Sequence, residues 1–179
     1  MKRQEVQSVV DGVTHILQKG DPRAANPLRL FQNGLANRNP YIRILLWVTA
    51  IDGILMAVKK DLFVSRINAL LGASSLVFPV EDGVFIERSI TVQEIANDLF
   101  KLRSELAHGQ VISRRFWEVR DDLRSLLPQT VYPGPPRYDL LLEEAALSLL
   151  TRIFRLIIFE ELAEDFLDVK KWRAKLRSL

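Results

Sequence analysis

The chain has 179 residues, 48% of them apolar and 26% charged, which is enough apolar side chain for one domain with its own core. It contains no cysteine, which excludes disulfides and thiolate metal centres, and two histidines cannot by themselves form a zinc site. The 25 basic and 22 acidic residues give a net charge of +3, which permits a polyanionic partner without requiring one. We therefore expect a reducing, cytoplasmic setting, no metal and no other cofactor.

Two apolar stretches, residues 42–58 and 140–162, are the candidates for membrane spans. Charged residues interrupt both of them, including Arg43 and Asp52 in the first and Glu143 and Arg152 in the second. The basic N-terminus is followed by a mixed polar and apolar stretch, whereas a secretion signal needs a continuous apolar segment. We therefore expect no membrane partner.

In the first half of the chain, apolar spacing and capping residues predict four helices. The first covers about residues 2–19. Asn26-Pro27 and Asn39-Pro40 each place an N-cap residue before a proline, which is the pairing expected where a helix starts. They predict a short helix to about residue 35 and a long one to about residue 59. Gly72 is expected to terminate the fourth helix.

The second half continues with helices after a less regular stretch. Residues 73–89 lose helical periodicity, and we expect a small β-hairpin or an ordered loop around 76–86. Thr91 followed by Glu94 matches a capping box, so a helix begins there and ends at Gly109. Further helices are predicted over about 116–127, over 138–166 and from there to the end. The predicted fold class is therefore all-α, a bundle of about six to eight helices.

The end of the helix that begins at Thr91 carries Arg103, Ser104 and His108. A guanidinium holds phosphate oxygens with two hydrogen bonds, and an imidazole titrates near neutral pH, so this pair suits metal-free cleavage of RNA by its own 2′-hydroxyl. Residues five apart lie about 140° apart around an ideal helix, whereas Ser104 and His108 share a face. Arg103 and His108 can therefore converge only where the helix ends or where two copies of it meet across a two-fold axis.

Asp52 is the acid near the middle of the long apolar helix. Its neighbours at three- and four-residue spacing include Val48, Leu55 and Met56, so its side chain is expected to point toward the core. A buried carboxylate needs a cation or a hydrogen-bond donor, and Arg103 is the candidate partner.

Residues 102–109, with the sequence Leu-Arg-Ser-Glu-Leu-Ala-His-Gly, follow the long apolar helix around residues 45–55. This arrangement resembles the HEPN superfamily, most closely its Apea-like branch, over about residues 40–158. The resemblance implies a single HEPN-like helical domain over residues 1–179. Residues 1–38 would form an N-terminal helical extension, and residues 110–136 would form an insertion near the site.

The resemblance also implies an activity, that of a homodimeric, metal-independent endoribonuclease that leaves a cyclic phosphate. By that analogy Arg103 would bind and polarise the scissile phosphate, and His108 would act as general acid or base. Ser104 fills a polar position from which it would orient His108, and Asp52 stands where a glutamate is expected. Such a hydrolase would bind RNA and serve stress or phage defence as a toxin, with a cognate antitoxin as a candidate partner.

The insertion adds basic residues close to the motif. Arg114 and Arg115 are its candidate RNA-binding residues, because arginine contacts to phosphate position a nucleic acid without reading its sequence. Trp47 is expected in the core, while Trp117 and Trp172 fit either the core or an interface.

Two other interpretations stay open beside the enzyme. One is a non-catalytic HEPN-like module that dimerises or binds RNA, a nucleotide or a protein, and the other is a helical scaffold. In both, Arg103 is a structural partner of Asp52, and His108 interacts with the negative end of the helix dipole. His15 is expected to be solvated. The acids at 160–168 are expected to pair with the basic residues that follow rather than to hold a cation.

Overall fold

A bundle of helices makes up the part of the chain that the computed structural model describes, which is residues 22–78, 90–123, 134–159 and 163–178. The α-helices in these ranges are α1 (Pro22–Ala36), α2 (Pro40–Leu55), α3 (Lys60–Leu71), α4 (Val92–Ala107), α5 (Arg114–Trp117), α6 (Tyr138–Phe159), α7 (Ala163–Leu167) and α8 (Val169–Ser178). A short 3-10 helix covers Asp121–Leu123, and the described residues contain no β-strand. The all-α fold class is confirmed.

Helix α2 is the central element of the bundle. Its buried side chains occupy several sides of the helix; they are Ile44, Trp47, Val48, Ala50, Ile51, Ile54 and Leu55. A helix that is apolar on nearly every side has to be surrounded, and α2 packs against α1, α3, α4 and α6. Asp52, near its C-terminal end, is therefore placed within reach of the neighbouring helices.

Trp47 determines how α1 packs on α2. Its side chain is buried, and its indole N–H donates to the carbonyl of Phe31 at 3.2 Å. Gly34 leaves the space that the ring occupies, because a Cβ at that position would lie 2.1 Å from the indole nitrogen. Trp47 is a core residue, as the sequence predicted.

The capping residues hold the helix ends that the sequence predicted from them. The side chain of Asn39 accepts from the backbone N–H of Tyr41 at 2.9 Å, so it caps α2. Thr91 and Glu94 form the complete capping box of α4, and Gly72 caps α3. These ends depend on residues within one helical turn of each other, which is why they could be predicted from local sequence.

Two predicted ends in the first half of the chain are wrong. Helix α1 begins at Pro22 and contains Pro27 in its interior. Pro27 is therefore not at the first helical position, where the pairing with Asn26 had placed it. Helix α2 stops at Leu55 instead of residue 59, because Met56 takes a left-handed conformation with φ of 51°. The N–H of Ala57 then donates to the carbonyl of Asp52 at 3.2 Å, and a methionine gives no sequence signal for such an end.

One predicted helix in the second half is less regular than expected. Of the helix predicted over 116–127, the described residues form only the single turn of α5 and the 3-10 turn, and residues 124–127 lie outside the described part of the chain. The chain between these two turns is extended, since the N–H of Arg120 donates to the carbonyl of Pro136 at 2.8 Å. The described residues of the helix predicted over 138–166 are helical, in α6 and α7, and α8 follows them; residues 160–162 lie outside the described residues.

Two other predictions fall partly or wholly outside the described residues. The helix predicted over 2–19 lies outside them, as does most of the hairpin or loop around 76–86. At the described edge of that loop, Leu76 forms an isolated bridge with Thr91, and the N–H of Val77 donates to the carbonyl of Ile90 at 2.8 Å.

The two apolar stretches lie mostly in α2 and α6. No single helix in the described ranges is long and apolar enough to cross a membrane. Helices α2 and α3 meet the length and composition criteria only when they are taken together, and they are bent by 80° at the break between them.

Candidate functional site

The ion pair between Arg103 and Asp52 joins α4 to the central helix. The stripe of α4 that faces the core includes Leu99 and Leu102, both fully buried, so the next residue, Arg103, lies at the edge of that stripe. Its Nη2 donates to Oδ2 of Asp52 at 2.9 Å, with 24% and 17% of the two side chains exposed. The contact that the sequence predicted is present.

The pair is held by one hydrogen bond rather than two. Oδ1 of Asp52 and Nε of Arg103 are shielded from solvent, and neither has a hydrogen-bond partner among the described residues. Burial raises the pKa of the Asp52 carboxyl, and the Arg103 guanidinium opposes that shift. Buried polar atoms without a hydrogen-bond partner are rare and destabilise the folded state. These two atoms therefore lower the net contribution of the ion pair to the stability of the fold.

His108 lies just beyond the end of α4, in the position that the predicted helix terminus requires. Gly109 takes φ of 61°, and its N–H donates to the carbonyl of Leu106 while that of Gln110 donates to Glu105, which together form a Schellman end. The His108 side chain is exposed and makes no hydrogen bond or ion pair with the described residues. Within one chain, no hydrogen bond joins it to Arg103.

Ser104 is linked to His108 through the backbone only. The carbonyl of Ser104 accepts from the His108 N–H at 3.1 Å. Its hydroxyl makes no hydrogen bond within the described residues, so the expected orienting contact between the two side chains is not present in a single chain.

Glu105, inside the motif, is a residue whose role the sequence did not predict. It is 7% exposed, and its carboxylate accepts from the Ser113 hydroxyl at 2.6 Å and from the Ser113 N–H at 2.9 Å. Lys101 lies 3.9 Å from the same carboxylate. Glu105 thus closes the loop that carries His108 back onto α4. The available signal was its position three residues after Leu102, where the apolar stripe of the helix continues.

Removal of this clamp is expected to loosen the loop. Glu105→Ala leaves the two Ser113 donors without their buried acceptor, so we expect a loss of about 1–3 kcal/mol in the free energy of unfolding. Amide hydrogen exchange over residues 108–113 is expected to accelerate by more than the lower free energy of global unfolding explains. Urea denaturation and exchange mass spectrometry measure the two effects.

The matched control is Glu118→Ala, which removes an exposed acid paired with Arg114 at 3.8 Å. An exposed pair of this kind contributes within about 0.5 kcal/mol. Equal destabilisation by the two variants would contradict the role given to Glu105.

The two candidate RNA-binding arginines, Arg114 and Arg115, differ in their availability. Nη2 of Arg115 donates to Asp98 at 2.5 Å, and its guanidinium packs 4.6 Å from the centre of the Phe116 ring. Asp98 also accepts from the hydroxyl of Tyr138 at 3.0 Å. Arg114 is 77% exposed and has only the long contact to Glu118. A phosphate would find Arg114 accessible, whereas Arg115 would have to exchange Asp98 for it.

A second charged cluster joins the starts of α2 and α6. The Tyr41 hydroxyl donates to the buried Asp139 at 2.6 Å, and Arg137 donates to both of them. Burial, the hydrogen bond to Asp139 and its charge raise the pKa of Tyr41 to about 12. Because the acid is enclosed by its own donors, we interpret this cluster as structural.

The chain matches no family model, no curated protein and no solved structure. The resemblance to the HEPN superfamily therefore depends on the motif residues and their setting. Among the described residues there is also no group of three or more side chains that could hold a metal ion.

Proposed function

We propose that this chain is a metal-independent endoribonuclease of the HEPN type that works as a homodimer, with Arg103 and His108 acting on the scissile phosphate. The observation that carries the proposal is the arrangement at the end of α4. An exposed imidazole follows a helix terminus, and five residues earlier the helix carries an arginine that an acid of the central helix holds in place. The role in stress or phage defence comes from the resemblance alone.

The chemistry requires a base, an acid and a group that stabilises charge. The imidazole of His108 takes the proton of the ribose 2′-hydroxyl, the 2′-oxygen attacks phosphorus, and the bond to the 5′-oxygen breaks. The protonated imidazole then delivers a proton to the 5′-oxygen, which leaves a 2′,3′-cyclic phosphate and a 5′-hydroxyl. Arg103 keeps Nη1 available for a non-bridging oxygen while Nη2 binds Asp52, so it stabilises the charge that develops on the phosphate.

A second copy of the chain supplies the missing half of such a site. Within one chain no hydrogen bond joins Arg103 to His108, whereas a second copy can bring its His108 to the Arg103 of the first. Large apolar side chains are exposed soon after His108, with Val111 at 94%, Val119 at 52% and Trp117 at 46%. Exposed apolar side chains so close together in the chain favour contact with another protein surface, and a two-fold axis would place two motifs together.

The proposal predicts cleavage that needs no metal. Purified protein is expected to cut single-stranded RNA in the presence of EDTA and to leave 2′,3′-cyclic phosphate ends, because the attacking oxygen belongs to the substrate. Mass spectrometry of the fragments identifies the ends. RNA methylated at the 2′-oxygen is the control and is expected to stay intact. Cutting of the methylated strand, or loss of activity in EDTA, would overturn the mechanism.

The alternative is a helical module that binds RNA without cutting it. The partial burial of Arg103 against Asp52 favours it, since an arginine satisfied by an acid has a structural role without any substrate. In that case RNA stays intact after long incubation in EDTA, while its affinity for the protein falls steeply with salt.

A further inference from the structure

An open cleft with a volume of about 550 Å³ lies between the C-terminal end of α2, helix α3 and helix α8. It borders the candidate site directly, because Asp52, the partner of Arg103, is one of its lining residues. The volume falls in the range of about 300–1,000 Å³ that is common for ligand sites. Three arginines line the cleft, namely Arg66, Arg173 and Arg177.

Two of these arginines are placed by the way α8 packs. Trp172 and Leu176 are buried one turn apart on the same face, and the Trp172 indole N–H donates to the carbonyl of Ile54 at 2.7 Å. Arg173 and Arg177 each follow one of these buried residues, so they lie next to each other on the adjoining face of the helix. The anchor that fixes α8 therefore also aims both guanidiniums at the cleft.

Arg66 is the third, and the end of α2 holds it. Its Nη1 donates to the carbonyls of Leu55 at 2.8 Å and Met56 at 3.0 Å, two groups that the end of the helix leaves without helical partners. Its other nitrogens make no hydrogen bond within the described residues. A guanidinium held by two carbonyls keeps a fixed orientation with donors to spare, which suits an oxyanion.

The charge balance of the cleft is strongly positive. Within the described part of the chain, none of the three arginines pairs with a carboxylate, and the one acid of the lining, Asp52, is already bound to Arg103. Unpaired arginines at the mouth of a cleft attract phosphate, and salt weakens this attraction. The apolar lining from Met56 and Leu176 provides no competing acceptor side chain.

We infer that this cleft binds the phosphate backbone of single-stranded RNA, with Arg66, Arg173 and Arg177 as its contacts. The inference rests on the proposed function for its choice of ligand. The cleft shares Asp52 with the candidate site, so a strand that passes Arg103 continues over the three arginines. These contacts carry no base specificity, and they position the strand for cleavage at the adjacent Arg103 and His108.

Binding of 2′-O-methyl RNA to the full chain tests the inference, because this strand cannot be cut through its 2′-oxygen. The double variant R173Q/R177Q removes two phosphate contacts while both residues lie on the exposed side of α8, so the helix is expected to fold. We expect about tenfold weaker binding at moderate salt, similar for unrelated sequences. The slope of log affinity against log salt is expected to fall by about 1.4, since each contact to a single strand contributes about 0.7.

The matched control is R29Q/R38Q, which removes the same charge from two exposed arginines outside the cleft. Its salt slope is expected to equal that of the wild type. No binding by the wild type, or equal slopes for the cleft variant and the wild type, would overturn the inference. Absence of cleavage of ordinary RNA, with the slope difference intact, would overturn the proposed activity and leave the cleft assignment standing.

Discussion

Replacement of His108 by alanine is expected to reduce RNA cleavage by about 10²–10⁴-fold, the usual contribution of a positioned acid or base. The same change is expected to leave the free energy of unfolding within about 0.5 kcal/mol of wild type. The structural reason for the second expectation is that the side chain is exposed and makes no hydrogen bond within the described residues. Fragment-release kinetics and urea denaturation measure the two quantities.

The control for this variant is His15→Ala, since the chain has two histidines. His15 is expected to be solvated, so its loss should leave cleavage unchanged. If H108A cuts RNA as fast as the wild type, His108 has no part in the chemistry. If H108A loses activity only together with several kcal/mol of stability, His108 has a structural role.

Mixing two inactive variants tests whether the site is shared between two copies. A heterodimer of H108A and R103A retains one intact Arg103 on one chain and one intact His108 on the other. We expect the mixture to recover part of the wild-type rate if these residues meet across the two-fold axis. A site formed within one chain recovers nothing on mixing, and that result would exclude the composite arrangement.

Replacement of Arg103 by alanine is expected to abolish cleavage and also to destabilise the fold by about 2–3 kcal/mol at neutral pH. The loss leaves the Asp52 carboxylate without its counter-charge. Full burial of such a pair makes the loss of one partner cost about 3–5 kcal/mol, and the partial exposure of both side chains reduces it here. R103A therefore differs from H108A, which should lose activity alone.

The destabilisation of R103A is expected to depend on pH in a known direction. Burial already raises the pKa of Asp52, and removal of the opposing guanidinium raises it further. When folding raises the pKa of a carboxyl, the free energy of unfolding falls as the pH rises towards that pKa, because ionisation of the group is less favourable in the folded state. The gap between R103A and wild type should therefore be largest at neutral pH and shrink in acid.

The double variant D52N/R103A separates charge from packing. Without an ionisable group at residue 52, we expect a smaller loss than in R103A alone, and the difference between D52N/R103A and D52N is expected not to change across about pH 4–8. Urea denaturation at several pH values measures it. If the deficit of R103A does not vary with pH, the ion pair is not the cause of its instability.

Local sequence determined the class of the fold and the framework of the site. Asn39 and the Thr91–Glu94 box set helix starts because their partners lie within one turn. Gly109 set the end of α4 because a left-handed residue there favours glycine. The pairing of Asp52 with Arg103 was also predictable, since an acid on an apolar helix face needs a cation and Arg103 lies at the end of another core helix.

Only the tertiary structure decided the features that depend on residues far apart in the chain. The early end of α2 at Met56 is held by Arg66 from the next helix, and the break after α5 is held by backbone pairing with residues 136–137. The arginine cleft exists because Trp172 anchors α8 to the end of α2, more than a hundred residues earlier. Helical periodicity and caps describe a few neighbouring residues, whereas these contacts follow from how the helices pack together.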